Sequence, residues 1–153
     1  MPQTVQEYLA GATHKAATDL TKAYLNIPEE KRDWSPGEKA RTALDMYAEC
    51  VLLNGYTADT ITTHAMSGSM ESFTQDKAKV KEQSWEQMHA QFEAGVAKII
   101  AAIQGVREAD MEVEIAMPWG PMTSAQLITY PHWNMAYHEG QINYIASILG
   151  CLP

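Results

Sequence analysis

The chain has 153 residues, 46% of them hydrophobic and 20% charged, the length and balance of one folded domain covering residues 1–153 rather than of a disordered or repetitive polymer. A formal net charge of −8 leaves no basic surface to neutralise phosphates or anionic lipid, so nucleic acid and membrane surfaces are excluded as expected partners. No apolar run approaches the ~18 residues of a membrane span, and MPQTVQEYLAGATHK lacks a basic stretch followed by an apolar core, so the expected location is the cytoplasm.

In the first segment Val5, Tyr8, Leu9, Ala12, Ala16, Ala23, Tyr24 and Ile27 recur at spacings of three and four. That is one apolar helical stripe, and it predicts a first helix over Thr4–Asn26 ended by Pro28. EEKRDWSPGEK then reads as a loop in which Ser35-Pro36 starts the second helix, serine as N-cap and proline in the first turn. The second helix carries Ala40, Leu44, Ala48, Val51, Leu52 and Gly55, with a further inward option along Asp45, Glu49, Leu52, Leu53 and Tyr56. Its end falls between Ile61 and Met66, where the period dissolves into Ser-Gly-Ser. The polar stretch 67–83 has little periodicity and reads as a long connection.

Trp85, Met88, Phe92, Val96, Ile99, Ile100 and Ile103 form the broad apolar face of a third helix over 84–104, with Gly105 as its stop. Val113, Ile115 and Met117 then alternate with Glu112 and Glu114, the period of a short strand, before Pro118-Trp119-Gly120-Pro121. The last helix opens on the capping box Thr123-x-x-Gln126 and runs to Leu149 before Gly150. Pro131, inside it, should kink it or split off an initial turn. The expected fold is therefore all-α: a four-helix bundle with a long crossover and a short strand or hairpin before the last helix.

Following the inner stripe of the last helix from Leu149, Ile145 and Ile142 leads at helical spacing to Gln141, His138 and Asn134. The same face changes from oily to polar. Asn134 and His138 are four apart and so stack on one face, about 5–6 Å between Cβ atoms, a separation at which two side chains can share an ion. On the second helix Glu49 precedes Leu52 and Leu53 and should turn inward, where an unpaired carboxylate would cost several kcal/mol. A cation or a histidine would relieve that cost, so the same residues support either a metal site or a metal-free hydrogen-bond network around His138. His14, His64 and His89 read as surface residues, and His132, six residues and so about 120° from His138, reads as lying at the kink or on another face. Cys50 reads as a buried thiol, and no nucleophile elbow or phosphate loop is present. Trp119, Trp133, Met117, Met122 and Met135 cluster around the start of the last helix, as loop packing or as an apolar wall beside the polar patch.

The run His132-Trp-Asn-Met-Ala-Tyr-His-Glu-Gly-Gln141-Ile resembles the final-helix motif of the DinB-like (DNA-damage-inducible B) superfamily. Met117-Pro-Trp-Gly-Pro-Met-Thr123 resembles that family's link into this helix, and Trp34-Ser-Pro-Gly-Glu38 its lead-in to the second helix. The resemblance implies an up-down-down-up four-helix bundle, a homodimer, and a three-histidine divalent-metal site formed by the second helix and an H-x-x-x-H pair on the last. In this chain His138 matches the second histidine of the pair, and Asn134 stands where the first would be. On the second helix no histidine matches, and Glu49, with Asp45 as runner-up, is the inward donor. The resemblance thus implies Glu49, Asn134 and His138 as ligands of one divalent metal ion (zinc, nickel or manganese) or of none, with Gln141 and Asp45 as outer support. It implies an enzyme of thiol-transferase or hydrolase type acting on an unknown small molecule. The rival is a non-catalytic, metal-free ligand-binding or structural dimer.

Overall fold

The computed structural model describes residues 3–153. Helix α1 (Val5–Asn26) starts on a reciprocal capping box, in which Thr4 Oγ1 accepts from the Glu7 amide and the Glu7 carboxylate from the Thr4 amide. Helix α2 (Ala43–Thr63) begins later than the Ser35-Pro36 start that the sequence suggests. Ser35 spends its hydroxyl on the carbonyls of Gly37 and Ala40, closing a turn, and Thr42 caps the helix at the Asp45 amide. Gly37, one residue after the proline, makes the early start unfavourable.

The connection 67–83 is not irregular throughout. It contains α3 (Met70–Lys81), capped by Ser69. Its polar composition hides it, since Val80 is its one fully buried side chain, and its position comes from partners on α2. Phe73 meets the Tyr56 ring edge-on at 5.4 Å, the Tyr56 hydroxyl donates to Asp76 at 2.9 Å, and Lys77 pairs with Asp45 at 3.0 Å. Helix α4 (Trp85–Gly105) follows. A two-residue antiparallel hairpin, β1 (Glu114–Ile115) with β2 (Met122–Thr123), then leads into α5 (Ser124–Leu149). Thr123 and Gln126 form the expected capping box, and Gly150 ends α5 at φ 70°. Pro131 neither splits nor shortens α5: the helix is continuous through it.

The four long helices pack in a ring, α1 against α4 and α5, and α2 against the same two, with α3 laid on the outside of α2. One half of the core is built on stacked rings, Tyr24 on Tyr47 at 4.4 Å with Trp85 and Phe92 beside them. The other half is aliphatic, with Leu9, Ile99, Ile103, Ile115, Leu127 and Ile128 closing it beneath the hairpin. Among the described residues no helix is long and apolar enough to cross a membrane. Helices α2 and α4 cross closely at Gly95, where an added Cβ would lie 3.3 Å from the Val51 carbonyl oxygen. Replacing Gly95 by valine should therefore overpack this crossing and lower unfolding stability by ~1–3 kcal/mol in denaturant titration, against the small gain that its helix propensity alone would give.

Candidate functional site

The amphipathic period of α5 turns Asn134, His138, Ile142 and Ile145 toward α2, and all four are buried. On α2 the same logic turns Glu49 back toward them. The result is one connected cluster. His138 Nε2 lies 3.0 Å from Glu49 Oε1, and the Asn134 amino group donates to the same oxygen at 3.3 Å. His138 Nδ1 lies 2.7 Å from Gln141 Oε1. Glu49 Oε1 and Gln141 Oε1 are both acceptors, so the two ring nitrogens of His138 each face an acceptor and the ring is fixed from both sides. The three residues proposed from sequence as ligands thus meet at one Glu49 oxygen, and Gln141, proposed as support, joins them through His138.

Asp45, the remaining support residue, stands one turn before Glu49 and is joined to it through a residue that sequence reasoning missed. Arg41 donates through Nη2 to Glu49 Oε2 at 2.7 Å and through Nε to Asp45 Oδ2 at 2.6 Å. Its spacing, four before Asp45 and eight before Glu49, was the available signal. Lys77 from α3 closes on Asp45 from the far side. Burial alone would raise the Glu49 pKa. The His138 hydrogen bond and the Arg41 charge outweigh burial and hold it down at about 2. For Asp45 too, the hydrogen bonds from Lys77 and Arg41 overcome burial and lower the pKa. Cys50 is wholly buried, its thiol donating to Asn134 Oδ1 at 3.3 Å, and burial first, then the Glu49 charge, push its pKa well up. It is the expected inert thiol.

Beside this cluster is a cavity of about 210 Å³, lined by Glu49 and Leu53 of α2, the segment 66–73, the hairpin and the first turns of α5. Four thioethers, Met66, Met70, Met117 and Met122, face it together with Trp119, whose indole N–H donates to the Met122 sulfur. Met117, Met122 and Trp119 therefore form the apolar wall that the sequence offered as one reading. Met135 is instead fully buried in the core, and Trp133 lies on the outer face of α5, stacked on Tyr137 and tilted against Tyr130. The other histidines serve elsewhere: His89 stacks on Trp85, and His64 takes the left-handed conformation that ends α2.

No protein-family model and no curated protein matches the chain. Solved structures do. A DinB-like protein of Bacillus subtilis superposes with a TM-score of 0.69 at 12% identity, over 94% of this chain and 92% of that one. A mutant of mycothiol-dependent maleylpyruvate isomerase superposes with a TM-score of 0.76 at 10% identity, over 91% of this chain and 61% of that one. A Streptococcus pneumoniae protein gives 0.65 at 14% identity, over 92% and 91%. The chain has the DinB-like fold.

The donor chemistry fits a metal poorly. Among the described residues no group of three or more His, Cys, Asp or Glu side chains is disposed to hold a metal ion. Asn134 presents its amino group to Glu49 and commits its oxygen to Cys50, and the second Glu49 oxygen is held by a guanidinium. A cation here would have to displace a fixed positive charge and gain only two strong donors.

The depressed Glu49 pKa has a definite consequence. A carboxyl whose folded pKa lies below its unfolded value stabilises the fold above the unfolded pKa, near 4.5, and loses that contribution as pH falls toward the folded value. Of the wild-type stability, up to ~3 kcal/mol should disappear between about pH 4.5 and about pH 2. Denaturant melts of Glu49→Gln across this range should show a visibly flatter acid limb; an unchanged limb would assign the acid sensitivity to other carboxyls.

Proposed function

We propose that this chain is a metal-independent, ligand-binding member of the DinB-like group, in which the methionine-lined cavity receives a small molecule and the Glu49–His138 cluster is its rigid polar floor. The observation that carries this reading is the saturation of Glu49: His138, Asn134 and Arg41 occupy both of its oxygens. A carboxyl held at about pKa 2 is a weak general base at neutral pH. His138, 2% exposed, is shut away from the cavity by its own partners. A thiol-transferase or hydrolase step would need a Lewis acid or a base of higher pKa to activate the thiol or water. The cavity, by contrast, has the composition of an adaptable apolar binding site.

Elemental analysis of protein purified without a histidine tag should find metal well below one per chain. Mn²⁺, Zn²⁺ or Ni²⁺ should shift the melting temperature of wild type no more than that of His138→Ala. In the metal-free state His138→Ala should itself cost ~1–3 kcal/mol, because Glu49 and Gln141 lose a buried partner. A metal-induced stabilisation of wild type that the variant lacks would restore the metalloenzyme reading.

The homodimer remains part of this proposal, and the outer face of α5 supports it. Trp133 is 54%, Tyr137 53% and Tyr144 70% exposed, on one side of a helix whose single formally charged residue is Glu139. These three rings present on the order of 400 Å², half of the ~800 Å² that each partner buries in a standard interface, and Ile148 extends the stripe. In a chain of net charge −8, an uncharged face is where two copies repel least. Sedimentation should give a dimer for wild type and a monomer for the Trp133→Glu, Tyr137→Glu double variant; a monomeric wild type removes the dimer from the proposal.

A further inference from the structure

The cavity also carries information about the charge of its ligand. At about 210 Å³ it is somewhat larger than the ~150 Å³ apolar cavity that accommodates benzene, which suits one ring with a short substituent. Glu49 is its one charged lining residue, and no Lys, Arg or His lines it. An anion would leave water to face a carboxylate with no cation to receive it. A cation fares no better, because the Glu49 charge is already met by Arg41 at 2.7 Å and its other oxygen is held by His138 and Asn134. What the wall does offer is hydroxyls that make no hydrogen bond among the described residues, those of Thr57, Ser67 and Tyr130, of which the half-buried phenol of Tyr130 is the one on α5.

We propose that the cavity selects a neutral, single-ring-sized apolar molecule carrying one hydrogen-bond acceptor, which the Tyr130 hydroxyl receives. This rests on the reading of the cavity as a ligand site. The chemical class is that of small aromatic or alicyclic ketones, esters and ethers. Carboxylates and amines of the same shape are rejected by the missing cation and by Arg41.

The test uses the full chain labelled with ¹³C at the methionine methyls, titrated in turn with acetophenone, benzoate and benzylammonium. Acetophenone should move the resonances of Met66, Met70, Met117 and Met122 and leave Met88, in the core, in place. Benzoate and benzylammonium should bind at least tenfold more weakly. Tyr130→Phe should weaken acetophenone about threefold to tenfold while leaving ethylbenzene, which has no acceptor, unchanged; an equal loss for both would overturn the assigned role of the hydroxyl. Benzoate or benzylammonium binding as tightly as acetophenone at the same four methyls would overturn the charge selection and leave the ligand-site reading standing. No response at those methyls to any of the three would overturn both.

Discussion

A carboxylate inside a helical bundle must be met by donors, and Glu49 is met from three directions. His138 and Asn134 reach it from α5, and Arg41 from the segment before α2. Without them the charge would cost several kcal/mol or take up a proton. With them it ties the start of α2 to the middle of α5. The ties extend further: Arg41 also binds Asp45, and Asp45 holds Lys77, so α3 is positioned by the same electrostatic chain. The cavity lies between α3, the hairpin and α5, with Glu49 among its lining residues.

The fold and the site therefore carry different information. Chains that share 10–14% of their residues with this one superpose on it closely, among them a mycothiol-dependent isomerase, because the ring of four amphipathic helices demands only apolar stripes of the right length. Chemistry is a matter of the side chains placed at one level of the bundle. Here that level holds one carboxylate, one imidazole, two amides and a guanidinium, each the partner of another. In such a network the carboxylate charge is met by donors within the protein itself.

Periodicity found the long helices to within a residue or two wherever a stripe ran unbroken, as in α1, α4 and α5. It failed in two places for identifiable reasons. Ser35-Pro36 are both good helix starters and predict an early start to α2, yet Ser35 bonds forward into its own turn and Thr42 takes the cap. Helix α3 has the pattern of a loop because it buries almost nothing of its own, and what orders it are Tyr56, Asp45 and the Ser69 cap. Pro131 breaks a helix in isolation, and here α5 runs through it, packed along its length against α1 and α2.

Within the site, the residues of one helix were legible by themselves. The spacing of Asn134, His138 and Gln141, and the inward turn of Glu49, follow from 3.6 residues per turn and from the apolar neighbours that set which face is buried. The sequence by itself thus determined the helical class, the polar level in the last helix and its main members. What it could not determine was how far each donor's capacity is already spent. Whether Glu49 is free or paired depends on Arg41 reaching it from outside the helix and on the rotation of α2 against α5, and these are set by packing across elements far apart in the chain. The cavity is likewise a property of the gap between segments 66–73, 117–122 and 127–130. A gap between distant segments has no spacing in the sequence, so only the tertiary structure could place it.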